Sequence, residues 1–123
     1  MYNEGTIIAL SSPPGSGAIS IIRLSGKDSI SKTDKFFESK SGKKLKDSNG
    51  YSISYGNFLV NKEVLDEVVI SLYKGPHSYT GEDVVEISCH GSNYIQQEIV
   101  SSFTNSGVRL ASPGEFTLRA YLN

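Results

Sequence analysis

Apolar residues in this chain fall into short runs broken by turn formers, with a few stretches at helical spacing. Thr6-Ile7-Ile8-Ala9-Leu10 is almost wholly apolar and runs into Ser11-Ser12-Pro13-Pro14-Gly15-Ser16-Gly17. That pattern predicts a strand buried on both faces, then a tight loop. Ala18-Ile19-Ser20-Ile21-Ile22-Arg23-Leu24 is a second strand with Arg23 near its end, stopped by Ser25-Gly26. Over Lys27–Ser39, Ile30, Phe36 and Phe37 fall near one helical face, and Ser25 followed three residues later by Asp28 offers a start signal. Lys40–Gly50 is polar, lysine-rich and aperiodic, a surface loop whose lysines read as solvated rather than as a binding patch.

Beyond it, Tyr51-Ser52-Ile53-Ser54-Tyr55 alternates with period two, and Phe58-Leu59-Val60 continues past Gly56, a candidate bulge. Asn61-Lys62-Glu63 turns the chain into the apolar run Val64–Tyr73, which completes a hairpin. Gly75-Pro76-His77-Ser78-Tyr79-Thr80-Gly81-Glu82-Asp83 is a turn-rich loop feeding the strand Val84–Cys89. Ser92–Asn105 carries Ile95, Ile99, Val100 and Phe103 at helical spacing, with Gly107 as its stop, and Val108–Ala111 is a last short strand. Ser112-Pro113-Gly114-Glu115 has the form of a capping box with a proline start, so helix initiation alone accounts for Pro113 and Glu115. Strands mixed with helices and no internal repeat predict one α+β domain over residues 1–123, with a mixed sheet.

Composition narrows the function. At 123 residues the chain can bury a core without disulfides or a metal. Twelve basic and thirteen acidic residues leave a formal net charge of −1, so no global positive field drives nucleic-acid binding. The single cysteine, Cys89, excludes an intramolecular disulfide and favours a reducing, cytoplasmic compartment. No apolar run approaches membrane-spanning length, and no Cys/His set has zinc spacing.

Nucleotide motifs fail on inspection. Gly75 and Gly81 are separated by five residues rather than four and are followed by Glu82, where a P-loop needs lysine. Gly15-Ser16-Gly17 leads into a strand instead of a helix. Cys89 and His90, adjacent on a strand, face opposite sides and cannot act as nucleophile and base together. Cys89 reads as core and His90 as a structural histidine. Glu86 differs, because it lies between Val85 and Ile87 on an interior strand, where an ionised carboxylate needs a partner. Two partners are open: Arg23 in an internal ion pair, or a ligand presenting two parallel N–H donors, as guanidine-like and pterin rings do. They are not exclusive.

Four motifs in one order carry a family resemblance. They are Thr6-Ile7-Ile8-Ala9 with Ser12-Pro13-Pro14-Gly15-Ser16-Gly17; Ile22-Arg23-Leu24-Ser25-Gly26; Pro76-His77-Ser78-Tyr79-Thr80-Gly81-Glu82-Asp83-Val84-Val85-Glu86-Ile87 with His90-Gly91; and Pro113–Asn123. The chain resembles, from end to end, the N-terminal domain of the tRNA uridine-5-carboxymethylaminomethyl modification GTPases, the MnmE or TrmE family. The resemblance implies a fold similar to the tetrahydrofolate-binding domain of aminomethyltransferases. It also implies a homodimer with 5-formyltetrahydrofolate or a related reduced folate at or near the interface, held by Arg23 and Glu86. A further family contact, a lysine beyond the Leu-Asn of the last motif, would follow Asn123, so a fragment with an incomplete site is expected.

In the whole protein the resemblance implies a helical domain and a GTPase domain using GTP, Mg and K. With an FAD-dependent partner of the MnmG or GidA kind, such proteins add an aminomethyl or carboxymethylaminomethyl group at C5 of the tRNA wobble uridine. No catalytic residue and no GTP hydrolysis are expected from this segment. His77, Ser92 and Ser112 stand where the family usually has Asn, Gly and often Arg. Two other readings remain at this level: a purely structural dimer module, and a stand-alone aminomethyltransferase-like folate enzyme.

Overall fold

The computed structural model describes residues 5–12 and 17–123, so most of the tight loop expected at Ser11–Gly17 lies outside the described residues. Seven strands form one mixed sheet: β1 (Ile7–Leu10), β2 (Ile19–Ser25), β3 (Phe37–Ser39), β4 (Ser52–Val60), β5 (Glu63–Tyr73), β6 (Val84–His90) and β7 (Arg109–Leu110). Their order across the sheet is β3-β4-β5-β6-β2-β1-β7. All neighbours are antiparallel except β1 and β7, which pair in parallel. Three helices complete the α+β fold: α1 (Ser29–Asp34), α2 (Asn93–Thr104) and α3 (Glu115–Leu122).

Alternation along the central strands divides the sheet into two unlike faces. Ile8, Ile22, Leu24, Val68, Ile70, Leu72, Val85, Ile87 and Cys89 join Ile30 of α1 and Ile99 and Phe103 of α2 in one buried cluster. Phe36 closes that cluster, stacked on Phe58 at 5.6 Å and edge-on to Phe103 at 5.2 Å. The opposite face carries Ile19, Ile21 and Arg23 on β2, Glu86 and Ser88 on β6, and Val69, Ser71 and Tyr73 on β5, brought level by the register of these strands. No apolar layer covers it among the described residues. Ile19 remains 65% and Ile53 61% exposed.

Several local expectations need correction. The helix predicted over Lys27–Ser39 is only α1; Phe37–Ser39 instead pairs with β4 as an edge strand. Phe36 and Phe37 satisfy a helical period and a strand end equally well, and the sheet edge decides. Ser25 does not cap this helix. It belongs to β2, while Asp28 holds the N-cap position without a side-chain hydrogen bond. The Lys40–Gly50 loop contains a short 3-10 turn, Leu45–Asp47, that buries Leu45 and is held by the Leu45 amide donating to Asp34 Oδ1 at 2.8 Å.

In the hairpin, the register shift lies between Phe58 and Leu59, not at Gly56. Gly56 has a different reason to be glycine: a Cβ there would meet the Glu38 carbonyl oxygen of β3 at 2.1 Å. The two-residue connection places Asn61 and Lys62 both in the left-handed region, at φ 52° and 67°, which matches the twist of the flanking strands. At the last helix, α3 starts at Glu115 because Gly114 takes φ 77°, so Ser112 is not its N-cap and Pro113 not its first residue. Half of the predicted box survives, with the Ser112 amide donating to Glu115 Oε1 at 2.9 Å. Ser92 does cap α2, accepting from the Ile95 amide at 3.3 Å.

Candidate functional site: a guanidinium–carboxylate pair on the open sheet face

Arg23 and Glu86 are direct cross-strand partners on β2 and β6. Arg23 Nε donates to Glu86 Oε2 at 2.7 Å, and Nη2 lies 2.6 Å from the same oxygen. Both contacts fall on Oε2. Among the described residues Oε1 of Glu86 and Nη1 of Arg23 have no hydrogen-bond partner, and the two side chains keep 27% and 21% of their surface exposed. Of the two partners considered for Glu86, the internal one is therefore present, in an arrangement that leaves one carboxylate oxygen unpaired among the described residues.

Aromatic rings surround the pair. The guanidinium carbon of Arg23 is 5.5 Å from the Tyr79 ring centroid and 5.8 Å from that of Phe116, both within cation–π range. Tyr79 Oη lies 3.1 Å from Thr117 Oγ1, which ties the 75–83 loop to α3. Tyr73, two residues before that loop, packs on Tyr51 with centroids 5.0 Å apart. Burial, and after it the charge of Glu86, pushes the Tyr73 phenol above its ordinary pKa.

The 75–83 loop is fixed by its own polar residues. Asp83 Oδ1 accepts from the Gly75 amide at 2.9 Å, closing the loop, and the Asp83 carbonyl accepts from the Gly26 amide and Ser29 Oγ, each at 3.0 Å. Thr80 is fully buried, 2.6 Å from Ser25 Oγ, and Ser25 donates to Glu82 Oε1 at 2.7 Å. Gly81 takes φ 81°, and a Cβ there would meet Asn123 Cβ at 2.7 Å, so the loop and the end of α3 touch.

A second charged group joins these elements, and the sequence reading missed it. Arg119 of α3, with no exposed surface, donates from Nη1 to Glu82 Oε1 at 3.0 Å and from Nη2 to the Gly5 carbonyl at 2.6 Å and Glu115 Oε2 at 3.2 Å. Arg109 grips both oxygens of Glu115, with Nη1 at 2.9 Å from Oε1. The Arg109 hydrogen bonds, helped by the Ser112 amide and Arg119 and opposed by burial, lower the Glu115 pKa to about 2. The available signal was Glu115 four residues before Arg119, a pair on one helical face. A capping-box reading had already claimed Glu115.

The remaining candidates are structural in their contacts. Asp66, nearly buried, holds His90 twice, through the ring Nδ1 at 2.7 Å and the backbone amide at 2.9 Å. Cys89 is buried on the opposite side of β6, where burial pushes its thiol up to about 11. Among the described residues no group of three or more His, Cys, Asp and Glu is placed to hold a metal ion, and no helix is long and apolar enough to cross a membrane.

Comparison with known proteins agrees with this arrangement of motifs. The family described as GTP-binding protein TrmE N-terminus matches residues 6–123. A tRNA modification GTPase MnmE of Flavobacterium johnsoniae is 48% identical over 123 residues, covering 100% of this chain and 26% of its own length. A protein of the same name from Parabacteroides distasonis is 48% identical over 120 residues, 96% of this chain and 26% of that one. Its namesake in Clostridioides difficile is 43% identical over 123 residues, 100% of this chain and 27% of that one. The chain thus spans about a quarter of the length of the curated relatives it matches. With the match running through both halves of the Arg23–Glu86 site and through α3, this chain belongs to the TrmE N-terminal family.

Proposed function

We propose that this domain binds a reduced folate, 5-formyltetrahydrofolate or a close relative, at the Arg23–Glu86 pair. The observation that carries this reading is the open half of the pair: a carboxylate oxygen and a guanidinium nitrogen with no partner among the described residues, on side chains 21% and 27% exposed and bordered by Tyr79 and Phe116. Such a pair suits a flat heterocycle. Glu86 Oε1 can accept from an N–H edge, Arg23 Nη1 can donate to a carbonyl or carboxylate, and an aromatic ring can take the planar face. When bound, the folate supplies a one-carbon unit; the residues of this chain hold and orient it. Nothing in the Arg23–Glu86 geometry requires this segment to carry catalysis itself.

In the longer protein to which such a domain belongs, we propose a role in tRNA modification at C5 of the wobble uridine, in the cytoplasm. There GTP, Mg and K would serve a GTPase domain, and an FAD-dependent protein of the MnmG kind would be the partner. The names of the relatives, tRNA modification GTPases, support the general activity. A homodimer built on this domain is supported by the uncovered sheet face, where Ile19, Tyr51, Ile53 and Tyr55 stand exposed around the same site.

Calorimetric titration of 5-formyltetrahydrofolate into the chain tests the central part. Binding that weakens about tenfold in Glu86→Gln is expected, since the change removes a charge-assisted acceptor while keeping its shape. Equal affinity in the two proteins would remove Glu86 from the site. Dimer formation is tested separately by sedimentation, with Ile53→Glu expected to shift the chain to monomer. An unaltered dimer in that variant would exclude this face as the interface.

A further inference from the structure

The 75–83 loop and α3 are joined in two places, one of them beside Arg23. At the surface, Tyr79 of the loop meets Thr117 of α3, and Tyr79 and Phe116 both face the Arg23 guanidinium. In the interior, Glu82 of the loop and Glu115 of α3 are bridged by the fully buried Arg119, which also takes the Gly5 carbonyl at the approach to β1. Thr117 and Phe116 lie within one helical turn of Arg119, so a shift of the buried guanidinium moves both. Glu82 is additionally tied to β2 through Ser25, two residues beyond Arg23.

The way α3 docks makes this bridge decisive. Its buried residues are Glu115 and Arg119, whereas Leu118, Tyr121 and Leu122 are exposed. A helix seated on charge pairs instead of an apolar stripe is located by the directions of those hydrogen bonds. Most helices are located by general packing.

We infer that Arg119 is a positioning residue for the Arg23–Glu86 site, acting through Glu82 on the loop and through α3 to place Tyr79 and Phe116 against the Arg23 guanidinium. The inference rests on the folate reading for the ligand it affects, but the coupling of loop and helix stands on the geometry alone. Lysine cannot replace Arg119, because one ammonium cannot reproduce the planar fork that reaches Glu82, Glu115 and the Gly5 carbonyl together.

The test compares Glu82→Gln, Arg119→Lys and the parent chain by hydrogen exchange and by titration with 5-formyltetrahydrofolate. Glu82→Gln retains size and one acceptor, so it keeps the chain folded where Arg119→Met risks unfolding. Faster exchange confined to residues 75–83 and α3, with β4 and β5 unchanged, is expected in both variants. Their folate affinity is expected to fall about tenfold or more, as for a misplaced binding group. Uniformly faster exchange across the sheet would reduce Arg119 to a general stability role and overturn the inference, as would unchanged exchange in loop and helix. If the parent chain binds no folate, the folate reading fails, and the exchange pattern alone decides the coupling.

Discussion

Two guanidinium–carboxylate groups meet the 75–83 loop and α3, and their surroundings give them opposite properties. Arg119 is enclosed: fully buried, with Glu82, Glu115 and the Gly5 carbonyl around it, it has its charge answered on several sides. Arg23 and Glu86 meet through a single carboxylate oxygen and stay partly open to solvent. A buried group of this kind holds elements together, because removing one member leaves buried charge behind. An open pair is cheap to leave half-used and available to a ligand. The comparison teaches that an ion pair on an interior strand is recognised as a site by the hydrogen-bonding capacity it leaves over, and the burial of its carbon atoms is secondary.

The largest effect should come from breaking the buried group. Arg119→Met removes the charge partner of the part-buried Glu82, leaves Glu115 to Arg109 alone and removes the buried link between α3 and the loop; it is expected to cost about 3–5 kcal/mol of stability, read from urea unfolding. Acid should act on the same group. The Glu115 pKa is depressed to about 2 in the folded chain, against an ordinary value near 4.5, so its contribution is complete above the ordinary value and is lost as pH falls towards 2. Unfolding midpoints followed from pH 6 to pH 3 should therefore drop more steeply in the parent than in Glu115→Gln. Parallel slopes would show that Glu115 does not carry the acid sensitivity.

Opening the other pair should matter less to the fold. Glu86→Gln is expected to change stability by under about 1 kcal/mol, in contrast to its proposed effect on folate affinity. A loss as large as that of Arg119→Met would erase the distinction between the two groups. The smallest effect is expected at the exposed Lys40–Glu67 pair, 3.4 Å apart on the far side of the sheet face. There Lys40→Met should shift stability by less than about 0.5 kcal/mol in the same unfolding assay.

Much of this contrast was legible in the sequence, though unevenly. Glu86 between Val85 and Ile87 marks a carboxylate needing a partner, with Arg23 one of the two open to it; strand register makes them direct neighbours. The α+β class, the hairpin through Asn61-Lys62, helix α2 with its Gly107 stop and the burial of Cys89 followed from period, turn chemistry and residue type. What escaped was decided by tertiary contact. Phe37 became a strand because the β4 edge needed a partner. Gly114 in the left-handed region delayed α3 past the Ser112-Pro113 signal. Glu115 meets Arg109 six residues before it and Arg119 four residues after it, but the partner that draws Arg119 inward from a distant segment is Glu82, 37 residues away. No short window of sequence contains the Arg119–Glu82 pairing.

The central claim, that the open pair is the ligand site and the buried group its support, is tested most directly by amide chemical-shift mapping. The chain, labelled with nitrogen-15, would be titrated with 5-formyltetrahydrofolate. Shifts centred on Arg23, Glu86, Tyr79 and Phe116, fading towards β3 and the exposed end of α2, are the predicted result. Shifts centred elsewhere, or none at saturating ligand, would contradict it.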